Sequence, residues 1–153
     1  MTDDTRQLPL QGSGKAHEER IKRELRNVGA VKFNMWLPET HELPRIVHQD
    51  EHITGVVYGR YSKGMGVGVA SVGRGALIAT DHRILFLDKK PLFVRWDEIA
   101  YEIVSGITYA RVAIAGTVVL RTREGDVHIR TFNHNSARRF VEAIESVIFK
   151  QKV

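Results

Sequence analysis

Residues 79–88 read Ala79-Thr80-Asp81-His82-Arg83-Ile84-Leu85-Phe86-Leu87-Asp88, and their pattern decides the fold. The flanks Ala76–Thr80 and Arg83–Leu87 are strongly strand-forming. Between them, Asp81 can bond its own backbone and turn the chain. Folding across Asp81-His82 pairs Ile78 with Leu85 and Leu77 with Phe86. Successive strand residues face opposite sides, so the hairpin is apolar on both. One side must meet a core. The other needs a cover, which an N-terminal helix, a second copy of the chain or curvature of the sheet can supply.

The strand pattern extends both ways from this hairpin. Ile53–Tyr61 is rich in valine and tyrosine, and a glycine-rich passage, Gly64–Gly75, joins it to the hairpin. Leu92–Trp96 reads as a further strand, and Ile99–Tyr109 as another, interrupted near Gly106. Val112–Arg123 and Asp126–Phe132 then flank Glu124-Gly125. With those two as the turn, Leu120 faces Ile129 and Arg121 faces His128, pairing apolar with apolar and polar with polar. Glutamate is poor at positive φ, so the turn type stays open. Asn135 is a good N-cap for a closing helix. Its stripe of Ala137, Phe140, Val141, Ile144, Val147 and Ile148 suits it to cover a sheet or barrel end.

Ahead of the strands, residues 1–14 are polar and read as a disordered lead. Lys15–Val28 is helical in composition, with Gly29 as its stop. Ile21, Leu25 and Val28 form a narrow seam that must dock on something. Residues 30–42 read as a connection anchored by Trp36 and Leu37. Leu43, Ile46 and Val47 suggest a short helix with Pro44 in its first turn. The division expected is a tail over 1–14, a helix and connection over 15–42, and a domain over 43–153.

About seven strands closed by one amphipathic helix is the order of the pleckstrin-homology fold, and Ala79–Asp88 resembles a hairpin of the bacterial pleckstrin-homology-like (YokE-type) family. Leu43-Pro44 with Asp50-Glu51 resembles that family's opening segment, and Trp96-Asp97-Glu98-Ile99 its stretch into the fifth strand. The resemblance covers about residues 43–149 and makes Thr80, Asp81 and Arg83 structural motif residues. It implies an α+β, mainly β fold: a partly open antiparallel barrel of about seven strands, capped by a C-terminal helix, with an added N-terminal helix. It implies a binding or assembly module with no cofactor.

Composition narrows the function. There is no cysteine, so disulfides, thiol chemistry and cysteine-built zinc sites are excluded. The acidic start lacks the apolar core of a signal peptide, and no stretch approaches a membrane span; a cytoplasmic setting is expected. Residues 52–153 hold fifteen Lys/Arg against nine Asp/Glu, while residues 1–51 hold eight against nine. The strand-rich part therefore carries the positive field, which favours acidic partners.

Several constellations bear on chemistry. His48-Gln49-Asp50-Glu51-His52 matches the zinc-hydrolase pattern H-x-x-E-H, which on a helix places both histidines on one face with Glu51 as base. The helix is expected to end near Asp50, and no later helix offers a third ligand. No metal ligands are therefore assigned. The glycine passage has the spacing of neither phosphate-binding motif. Arg60, Lys63 and Arg74 flank it, and Met65, Val67 and Val69 lie within it, making these six candidate contacts for a partner or a lipid surface. Arg121, His128 and Arg130 form a candidate anion patch on the last hairpin. No aromatic residues are interleaved with them, which argues against nucleic acid. No serine has the nucleophile-elbow glycines, and no small-molecule substrate is inferred.

The sequence thus points to a non-catalytic module that binds a protein partner or its own copies. A peripheral module for anionic membranes is the alternative, and a zinc hydrolase at His48 and His52 a remote third.

Overall fold

The computed structural model describes residues 2–64 and 70–152, with side chains over 14–64 and 71–151. Seven strands form one antiparallel sheet: β1 (Ile53–Gly64), β2 (Ala70–Thr80), β3 (Ile84–Lys90), β4 (Phe93–Ile99), β5 (Val104–Val112), β6 (Ala115–Thr122) and β7 (Gly125–Thr131). Their order is β4-β3-β2-β1-β7-β6-β5. β1 pairs with both β2 and β7, whereas β4 and β5 end the sheet, so the barrel is partly open as expected. Helix α1 spans Thr2–Asn27, α2 spans Pro38–Ile46 and α3 spans His134–Lys152. The lead expected over 1–14 falls almost wholly outside the described side chains.

The first hairpin pairs as its sequence requires, with Ile78 opposite Leu85 and Leu77 opposite Phe86. Both of its faces are buried. Leu77 and Phe86 join Val57, Leu120 and Ile129 in a core closed by Ala137, Phe140 and Ile144 of α3. On the other side, Val56, Ile78, Leu85 and Leu87 meet Ile21 and Leu25 of α1 and Leu43 and Ile46 of α2. The cover is therefore intramolecular, supplied by the N-terminal seam with the second helix. Burying side chains of this size contributes about 1.5–3 kcal/mol each, so α1 is integral to the fold.

Four local expectations need correction. The last turn is Arg123-Glu124, so Leu120 faces Val127 and Arg121 faces Asp126. Gly125 takes the positive φ of 130°, a conformation that glutamate resists. The offset is two residues, which leaves every side chain on its expected face. Second, Val112 does not begin a strand running to Arg123. β5 and β6 fold across Ala113-Ile114, with Ala113 itself at φ 56°. Neither residue carries a turn signal. Third, α2 starts at Pro38, and a 3₁₀ turn over Lys32–Trp36 precedes it. Trp36 is 73% exposed, and Met35 packs inward in its place. Fourth, Asn133 rather than Asn135 caps α3: its Oδ1 accepts from the Ser136 N–H at 3.1 Å. Its Nδ2 donates to the Gly29 carbonyl at 2.8 Å, tying the ends of α1 and α3 together.

β1 crosses β7 very closely at Gly59. A Cβ there would sit far inside van der Waals contact of the Arg130 carbonyl oxygen. Gly59→Ala is expected to cost about 1–3 kcal/mol, the range of overpacking. Urea unfolding measures it; an unchanged midpoint contradicts the close approach.

Candidate functional site

The motif Thr80, Asp81 and Arg83 sits at one end of the barrel and organises it. Thr80 Oγ1 accepts from the His82 and Arg83 N–H groups at 3.1 and 3.0 Å, which fixes the β2–β3 turn. Asp81 exchanges two bonds with His52: its N–H donates to the His52 carbonyl, and its Oδ1 accepts from the His52 N–H, both at 2.9 Å. Arg83 reaches further. Its Nε and Nη2 donate to Glu51 Oε2 and Oε1 at 2.9 and 3.0 Å, a bidentate pair. Nη2 also donates to the Ile46 carbonyl at the end of α2 (2.8 Å), and Nη1 to Glu98 of β4 (3.1 Å).

Glu51 is fully buried. Burial pushes its carboxyl up, but Arg83, the Thr80 hydroxyl at 2.6 Å and the His48 N–H at 3.1 Å outweigh that and hold it down at about 2. Sequence reasoning missed this partner of Arg83. The one available signal was Asp50-Glu51 beside the domain start, and nothing local says which distant cation it meets.

The same residues answer the H-x-x-E-H pattern. His48–His52 run through a turn and an extended segment, without the helix the pattern requires. Glu51 is engaged by Arg83, and His52 Nδ1 lies 2.9 Å from Glu24 Oε2 on α1. Burial raises the Glu24 carboxyl, and the His52 ring, the Ile53 N–H and Arg20 together lower it further than burial raises it. The segment is a structural corner.

The candidate contact residues divide between two faces. Arg60 lies opposite Arg74 of β2 and opposite Arg130 of β7. Three guanidinium side chains therefore stand in a row across β2, β1 and β7 on the side away from α3. All three are exposed, and among the described residues none has a salt-bridge or side-chain hydrogen-bond partner. His128 lies one pairing step along the same face, opposite Ser62. Arg121 lies two steps from His128 on that face but pairs with Asp126 at 3.4 Å. Lys63 parts from the others: it points inward, bonds Asp97 and stands 4.9 Å above the Phe86 ring. Met65, Val67 and Val69 lie outside the described residues. The candidate contact set and the candidate anion patch, read separately in the sequence, thus merge through β1–β7 pairing.

Beside the arginine row lies a cleft of about 530 Å3. The arginines occupy one part of its wall, and Val31, Phe33, Leu37 and Phe132 supply the apolar part. Glu39 also borders it, but this carboxylate is buried and accepts the Lys89 backbone N–H at 3.0 Å.

Residues 47–146 match the family model described as bacterial PH domain. The chain belongs to the bacterial pleckstrin-homology family. Among solved structures, the N-terminal PH domain of Vps36 is similar with a TM-score of 0.51 at 14% identity, over 70% of this chain and 86% of that one. The PH domain of USP37 gives 0.49 at 10% identity, over 62% and 97%. A DUF1696-family protein with a pleckstrin-homology domain from Shewanella loihica PV-4 gives 0.42 at 14% identity, over 81% and 100%. No curated protein matches. The family match leaves α1 and α2 outside its range, although both cover the sheet of this PH domain.

Proposed function

We propose that this PH domain is a non-catalytic cytoplasmic module that binds a protein partner through its outer face. One observation carries the reading. Val31, Phe33, Trp36 and Phe132 are 51–73% exposed, and three of them wall a single cleft. Clustered exposed apolar side chains mark contact surfaces more often than scattered ones do. The two-sided hairpin no longer argues for self-association, because α1 and α2 cover it. The test is capture from native lysate by the wild type and by a Phe33→Ser, Phe132→Ser double variant, with sedimentation for self-association. Partners retained equally by both proteins overturn the assignment of this face.

A second reading, a peripheral membrane module, draws on the opposite end of the barrel. Leu92 in the β3–β4 turn is 96% exposed and Phe93 52%, beside Lys90. Leucine and phenylalanine beside a lysine suit an anionic lipid surface. Flotation with phosphatidylserine vesicles tests it; absence of salt-sensitive binding ends it.

A further inference from the structure

Three like charges standing directly opposite one another across neighbouring strands is an arrangement that folding disfavours. Strands lie about 4.8 Å apart, so Arg74, Arg60 and Arg130 begin from backbone positions close enough to repel. Further along the same face, the exposed Arg121 has a local carboxylate in Asp126. The central row has none, and its neighbour Glu39 is committed to the Lys89 N–H. What the fold leaves uncompensated, a ligand can compensate.

The surroundings select the ligand. The row lies on strands and forms part of the wall of a cleft whose remaining wall includes Phe33, Leu37 and Phe132. A cleft of that size accepts a few side chains, whereas a nucleic-acid duplex or a bilayer needs a broad or protruding surface. Guanidinium groups recognise carboxylates with paired, directional hydrogen bonds, and arginine clusters are a recurring device for reading acidic segments.

We propose that the cleft binds an acidic peptide segment of a partner protein. Its Asp/Glu carboxylates pair with Arg74, Arg60 and Arg130, and an apolar side chain lodges between Phe33 and Phe132. This rests on the reading of the chain as a protein-binding module and names the chemistry of its partner. An extended segment alternating acidic and apolar residues fits both parts of the wall, since its side chains alternate in direction.

The probe is a dye-labelled short peptide in which glutamate and leucine alternate, followed by fluorescence anisotropy. A control peptide carries glutamine in place of glutamate. The wild type binds the acidic peptide, more weakly as salt rises, and does not bind the control. Arg60→Gln weakens binding by about tenfold or more, the scale of a charge-assisted hydrogen bond, and Arg60→Lys weakens it less. Arg138→Gln, on the exposed face of α3, leaves it unchanged. Meanwhile Arg60→Gln keeps or raises the melting temperature, because it relieves the row. A merely structural arginine would show the reverse.

Equal affinity of the wild type and Arg60→Gln overturns the proposal. So does equal binding of the two peptides, or tighter binding of phosphatidylserine vesicles or a thymidine oligonucleotide. If the acidic peptide fails while lysate partners are captured by the wild type and lost with Phe33→Ser, Phe132→Ser, the acidic ligand is wrong and the binding face stands. If the double variant also keeps those partners, the face itself is wrong.

Discussion

Arg83→Met is expected to lose about 3–5 kcal/mol of stability, because it strands the buried Glu51 carboxylate without its cation. Urea denaturation with the fluorescence of Trp96, near which the guanidinium lies, gives the number. Replacing both partners, Arg83→Met with Glu51→Leu, should recover much of the loss, since buried ion pairs tolerate joint replacement by apolar groups far better than the removal of one member. Acid sharpens the test. The carboxyl of Glu51 is held at about 2 against an ordinary 4.5. A lowered folded value means that the contribution is complete above pH 4.5 and is lost as pH falls toward 2. The wild type should therefore lose stability across that window, and Arg83→Met should lose less there. A cost under about 1 kcal/mol, the scale of a surface pair, would remove Arg83 from its place at the centre of this corner.

Leu25→Ala should cost about 2–5 kcal/mol, the range for emptying a fully buried leucine site. Leu25 is wholly inaccessible and stands over the outward side of the first hairpin. Removing α1 altogether has a larger consequence. A protein beginning at Val31 would uncover much of the apolar surface of Val56, Ile78 and Leu85, and sedimentation should find it associated or aggregated while the full chain is not. A truncated protein that stays monomeric and equally stable would mean that the helix is an appendage. The experiment also separates self-association caused by exposure from a native interface.

Local sequence carried the parts of the fold that local physics decides. The hairpin follows from strand-forming flanks and the turn chemistry of Asp81, and the seam of Ile21 and Leu25 and the stripe from Ala137 to Ile144 follow from periodicity. Turns without turn residues did not show themselves: Ala113-Ile114 reads as continuous strand because neither side chain favours a bend. Asn133 and Asn135 are both good caps, and the choice depends on Gly29, more than a hundred residues away, whose carbonyl only Asn133 reaches. The site divides similarly. Arg60, Arg74, Arg121, His128 and Arg130 were legible as exposed basic residues. Their union required β1 to lie between β2 and β7, a long-range pairing that alternation along each strand cannot specify. Lys63 was misplaced because its neighbours say nothing about Asp97, which lies 34 residues away in the chain. Phe33, in the expected connection, and Phe132, at the end of the expected last strand, escaped notice because only the assembled surface brings the two to one wall.

The two terminal strands of the sheet also govern how neighbouring molecules meet. Among the described residues, β4 offers a backbone border with no strand beside it, and it presents Phe93, Val94 and Trp96, an adhesive combination. Interleaved with them are Arg95, Asp97 and Glu98. A copy zippering onto this border would have to find matching charges at alternate teeth or strip their water without recompense. The spacing disfavours fibre growth, and Arg95, held by Ser71, is the charge whose neutralisation weakens it without releasing Lys63 from Asp97.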